Sequence, residues 1–109
     1  MENIFKALAH RSRRELLDNL FVRDGQTLGE LCQGAGQGAG FTRQAVSKHL
    51  RILTDSGLIV THWEGREKLH YLNPAPIQEI SERWIRKFSR RRLTAVNALK
   101  EALEENHDE

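Results

Sequence analysis

Between Thr42 and Gly57 the chain carries a helix with two unlike faces, and the rest of the sequence has to be built around it. At about 100° per residue, Arg43, Gln44, Ser47, Lys48 and Arg51 fall within one arc of roughly 140°. Ala45, Val46, Leu50, Ile52 and Leu53 collect on the opposite side. One side is made to pack. The other presents side chains that suit base edges and phosphates: Arg or Lys for guanine acceptors, Gln for adenine, Ser for either. Thr42 is placed to cap the helix, and the free amides at its start favour a phosphate. Gly57, just past Ser56, suits the left-handed residue that ends a helix. Asp55 shares the polar arc and would repel phosphate, so contacts are expected from the N-terminal half.

A polar arc alone is what any solvated amphipathic helix shows. Its neighbours change the reading. Upstream, Ile4, Phe5 and Leu8 form a stripe on a first helix over Glu2–Ala9, and Leu16, Leu17, Leu20 and Phe21 form one on a second over Ser12–Val22. Asp24-Gly25 reads as a turn. Thr27-Leu28-Gly29-Glu30 is a capping box that starts a short third helix, with Leu28 and Leu31 facing inward. Gly34 to Gly40 stops that helix. Downstream, Leu58–Glu64 and Lys68–Leu72 read as strands joined through Gly65-Arg66-Glu67. Asn73-Pro74-Ala75-Pro76 opens a last helix.

From Ile77 onward there is neither Gly nor Pro, and Ile77, Ile80, Trp84, Phe88, Leu93, Val96, Leu99 and Leu103 recur at helical spacing, except between Phe88 and Leu93. Two helical pieces are expected, or one helix bent near Ser89 to Arg92. That stripe is too apolar to face water and needs a partner surface. The fold class is therefore mainly α with a small β-hairpin: a winged helix-turn-helix in the order helices, hairpin, helix. Residues 1–92 are expected to form the DNA-binding and dimerisation domain, and residues 93–109 a helical extension with an acidic, frayed tail.

The charge agrees with a nucleic-acid partner. Residues 1–92 hold 16 Lys and Arg against 10 Asp and Glu, and residues 93–109 hold 1 against 5. A basic body is the electrostatic footprint of a polyanion binder. Thr42, Arg43, Gln44, Ser47, Lys48 and Arg51 on the helix, with Arg66 and Lys68 on the hairpin over 60–72, are the expected contacts to double-stranded DNA. Arg83, Arg86, Lys87, Arg90, Arg91 and Arg92 read as a solvated back face of the last helix. No apolar run is long enough to span a membrane, and the N-terminus lacks the pattern of a signal peptide. With a single cysteine, a cytoplasmic setting is the expectation.

Chemistry is harder to find. Ser47 and His49 point about 160° apart on a helix and cannot act as nucleophile and base. The Gly34–Ala39 run matches a dinucleotide fingerprint only formally, because it follows a helix rather than a strand. No enzyme activity and no cofactor are expected. Cys32 reads as a small apolar residue closing the third helix. His49 reads as a packed, hydrogen-bonded histidine, and His10 as a cap or packing residue. His62 and His70 would face each other as an exposed pair if the hairpin loop held three residues.

The strings Phe5-Lys6-Ala7-Leu8-Ala9-His10, Arg13-Arg14 with Leu16-Leu17, Thr27–Leu31 and Thr42-Arg43-Gln44-Ala45-Val46-Ser47-Lys48-His49-Leu50 complete the picture. With Leu53, Gly57-Leu58, Glu64-Gly65-Arg66 and Tyr71-Leu72-Asn73-Pro74, they resemble the ArsR/SmtB family of winged-helix regulators over roughly residues 4–90. The resemblance implies a homodimer joined through the first and last helices, with Ile4, Phe5, Leu8, Ile80, Trp84 and Phe88 at the interface. It also implies a repressor that binds an inverted repeat and is released by an effector whose nature the sequence does not reveal. Two departures stand out. The turn from Cys32 to Thr42 is about four residues longer than the family pattern and reads as a surface bulge. The cysteine pair and the last-helix histidines of metal-sensing members are missing, so no metal site is expected.

Overall fold

The computed structural model describes residues 2–34, 41–87 and 90–107. Helices α1 (Glu2–Leu8), α2 (Arg11–Val22), α3 (Leu28–Gly34) and α4 (Arg43–Asp55) precede strands β1 (Ile59–Glu64) and β2 (Glu67–Leu72). Helices α5 (Ala75–Lys87) and α6 (Arg90–His107) follow. The chain divides into two compact units, Met1–Ile77 and Gln78–Glu109. The expected extra bulge at 35–40 and the expected bend beginning at Ser89 fall outside the described residues.

In the first unit the helices are held by local chemistry at their ends. His10 Nδ1 accepts from the Ser12 amide and caps α2. Arg13 donates to the carbonyls of Ala7 (2.8 Å) and Lys6 (3.1 Å), and Arg14 to that of Leu8 (2.7 Å). The Ala7 and Leu8 carbonyls lie in the last turn of α1, where a helix runs out of backbone donors, while that of Lys6 also accepts from the Ala9 amide. At α3 the capping box closes both ways: the Glu30 amide donates to Thr27 Oγ1, and the Thr27 amide donates to Glu30 Oε1, each at 3.2 Å. Arg23 adds an ion pair to Glu30. The Thr27 hydrogen bonds and Arg23 pull the Glu30 carboxyl below its ordinary range, against the opposing effect of burial.

The core gathers one stripe from each helix: Ala7 from α1, Leu16, Leu17 and Leu20 from α2, Leu31 from α3, and Val46, Leu50 and Leu53 from α4. Leu58 and Ile59 close it from the base of the hairpin, and Cys32 packs at its edge. Phe21 departs from the expected apolar face, for it is 80% exposed. It lies roughly 90° around α2 from the centre of the Leu16, Leu17 and Leu20 arc, so it cannot share their direction.

The hairpin also corrects its reading. Glu64 pairs with Glu67, so the loop is Gly65-Arg66 alone, two residues rather than three. Gly65 takes φ +64°, as the first position of a type II′ turn requires. The register then sets His70 opposite Thr61, and His62 opposite Leu69. Because side chains alternate along a strand, the two histidines leave the sheet on opposite faces. His62 is exposed and His70 is buried. His70 Nδ1 lies 2.9 Å from the Gln26 carbonyl, beside a short antiparallel bridge that ties the α2–α3 connection to β2. Burial is the main cause that lowers the His70 pKa, with Lys68 adding to it and the Gln26 hydrogen bond opposing it.

In the second unit α5 and α6 keep their apolar residues largely on the surface, with Trp84, Ile85, Leu93, Val96, Leu99 and Leu103 exposed.

Candidate nucleic-acid interface

Helix α4 is set at its start by Thr42, whose Oγ1 accepts from the Ala45 amide at 3.2 Å. At its end, Ser56 closes the last turn and Gly57 takes φ +83° to release the chain into β1. The packing side is fixed by Val46, Leu50 and Leu53, all buried, which forces the other side outward. Arg43, Gln44, Ser47, Lys48 and Arg51 are all exposed, as the helical projection requires.

These residues do not stand on a bare ridge. On one flank Arg43, Ser47 and Arg51 share a groove with the first turn of α3 and with Trp63, Arg66 and Lys68 of the hairpin. On the other flank a shallower groove runs past Arg43, Gln44, Ser47, Lys48 and Arg51. The fold thus brings residues twenty positions apart to the walls of one channel, whose cations outnumber the carboxylates of Asp55 and Glu67. Asp55 lies at the far end of α4 from Arg43, as expected from the helix alone.

Trp63 escaped the sequence reading. It is 62% exposed, pairs with Lys68 across the hairpin, and stands on the same sheet face as His70. The signal was an aromatic residue one position before the turn, but its direction depends on the two-residue loop. His49, on the packing side of α4, is 8% exposed and meets the His10 ring at a tilt of 51°, with ring centroids 4.6 Å apart. Its Nδ1 is buried without a hydrogen-bond partner among the described residues, so it is packed but lacks the expected bond there. Burial lowers its pKa, and His10, Arg13 and Lys48 add to the effect.

Of the residues expected at a dimer interface, Phe5 and Trp84 are exposed, and Ile80 is half-buried. Ile4 and Leu8 are half-buried against the core of their own chain. Phe88 lies outside the described residues. Among the described residues no three His, Cys, Asp or Glu side chains gather as metal ligands, and no helix is long and apolar enough to cross a membrane.

A capped helix leading through a turn to an outward-facing basic helix, followed by a two-stranded wing, defines a winged helix-turn-helix protein. Comparison with known proteins agrees. Residues 8–62 match the helix-turn-helix domain family. The HTH-type transcriptional regulator YuzN of Bacillus subtilis (strain 168) is 37% identical over 84 residues, 75% of this chain and 91% of its own. The transcriptional repressor SdpR of the same organism is 31% identical over 88 residues, 81% of this chain and 91% of its own. Among solved structures, an ArsR-like transcriptional regulator from Rhodococcus sp. RHA1 is 28% identical with a TM-score of 0.72, covering 93% of this chain and 90% of that one. The chain belongs to the ArsR family of winged helix-turn-helix transcriptional regulators, a family of DNA-binding proteins and not of enzymes.

Proposed function

We propose that this protein is a homodimeric repressor that binds an inverted-repeat operator in double-stranded DNA. Helix α4 enters the major groove with Arg43, Gln44, Ser47 and Lys48 toward base edges. Thr42 and Arg51 serve at its flanks, and Arg66 and Lys68 follow the adjacent minor groove or backbone. The observation that carries this reading is the shared groove, because it joins the outward face of α4 to the wing within one basic channel. A duplex is the ligand that fits: α4 matches the width of a major groove, and an arginine at a hairpin tip is favoured in the neighbouring minor groove. Repression is supported by SdpR, which bears the name of a transcriptional repressor.

Residues 1–92 act as the DNA-binding and dimerising body, with Ile4, Phe5, Leu8, Ile80, Trp84 and Phe88 at the two-fold contact. No cofactor takes part in the reading, and operation in the cytoplasm follows from access to the chromosome. The test is selection of purified protein against a randomised duplex library at physiological salt. Enrichment of an inverted repeat with half-sites about one helical turn apart is the expected result. Binding with steep salt dependence and no enriched sequence would replace this reading with that of a nonspecific architectural binder.

A further inference from the structure

Helix α4 and the hairpin stand on either side of one channel, with Arg43, Ser47 and Arg51 on the first wall and Trp63, Arg66 and Lys68 on the second. Trp63 and Lys68 pair across the strands, so they leave the sheet on the same face. At 62% exposure, Trp63 is the most open large apolar side chain among the described residues that line the channel. Among the described residues no second ring and no cation lies over its indole. A single exposed tryptophan needs no explanation by itself. Its position between basic walls gives it one.

In B-form DNA one sugar–phosphate strand separates each major groove from the minor groove beside it. A helix in the first groove and a hairpin tip in the second must hold that strand between them, and the space between α4 and the wing is this channel. Such a strand alternates two chemistries, charged phosphates and the apolar faces of deoxyribose rings. The channel offers both, because four Arg and Lys side chains line it against the two carboxylates of Asp55 and Glu67, with the Trp63 ring among them. An indole is a donor without an acceptor, so nothing on it repels a neighbouring phosphate.

We infer that one strand of the bound duplex runs through the channel between α4 and the wing, and that the Trp63 ring packs on a deoxyribose of that strand. The inference rests on the DNA-binding reading proposed above and adds to it a contact that is neither a base reader nor a charge. A sugar carries no sequence information, and an uncharged ring releases no counterion. Trp63 therefore contributes affinity without contributing to sequence preference or to salt dependence.

The test uses the full-length protein and the duplex enriched in the selection described above. Trp63→Ala should weaken binding about tenfold, the scale of a buried interface tryptophan. The same factor should appear on single-base variants of that duplex, and the slope of log K against log salt should stay at its wild-type value. Trp63→Phe keeps a flat apolar ring and should bind within about threefold of wild type. Fluorescence reads the contact independently. Binding of the duplex takes the exposed indole out of water, so the wild-type emission should shift to shorter wavelength, and Trp63→Phe, in which Trp84 alone emits, should lack that shift.

Wild-type affinity in Trp63→Ala overturns the contact, as does an emission shift that persists in Trp63→Phe. A tenfold loss with a flatter salt slope also overturns it, because Trp63 would then act only by placing the cations of the wing. A wild-type protein that binds no duplex removes the DNA-binding reading itself, whereas one that binds while Trp63→Ala binds equally well loses this contact alone.

Discussion

Arg43→Ala separates reading of bases from mere attraction to DNA. Arg43 is the first residue of α4, is exposed, and lines the grooves on both flanks of the helix. Removing an exposed side chain in favour of Ala, the best helix former, should change folding stability by no more than about 0.5 kcal/mol. The loss must then appear in the complex. A two-pronged arginine contact to a guanine is worth about 1–3 kcal/mol of discrimination, which is roughly fivefold to 150-fold in affinity for the cognate duplex. Lys68→Ala is the counterpart. Its ammonium is a point charge on the wing, so it should weaken every duplex alike and flatten the slope of log K against log salt by about 1. Anisotropy titrations of a labelled operator and its scrambled version, repeated from about 50 to 200 mM salt, give both quantities. Thermal melts of each variant confirm that the fold is intact. If Arg43→Ala lost the same factor on operator and scrambled DNA, the assignment of α4 to base edges would be refuted.

Trp84→Asp should give monomers with little operator affinity, because two subunits are needed to hold both half-sites; light scattering that still shows a dimer would move the interface elsewhere. Gly57→Ala should destabilise the fold by about 1–2 kcal/mol from its left-handed backbone alone, since a Cβ there meets only Pro76 Cγ at an ordinary 3.9 Å; an unchanged urea midpoint would contradict the strain. His49 and His70 are both held neutral by burial, with folded pKa values below the reference of 6.5. Their stabilising contribution is fully present above about pH 6.5 and is lost as pH falls below it, because the unfolded chain then takes up protons that the buried rings refuse. Urea unfolding between pH 7.5 and 5.5 measures this, and a stability that held constant or rose on acidification would rule it out.

What the sequence determined by itself was whatever is settled within one or two helical turns. The Thr27–Glu30 box, the Thr42 cap, the left-handed Gly57 and the two faces of α4 were all legible, because each depends on residues at most a few positions apart. The order of elements followed from them, and with it the family. The tertiary structure decided matters of direction. One residue fewer in the hairpin loop moved His70 from an exposed pair to a buried bond with Gln26, because a strand alternates its faces at every step. The same register turned Trp63 toward the channel beside Arg51, a neighbour twelve positions away that no local pattern announces. Phe21 went to solvent because the core could accept only the part of α2 that faced it. Caps and periodicity are local hydrogen bonds and angles, and a chain carries them in its sequence. Register and the walls of a groove are agreements between distant segments, and only the packed chain makes them.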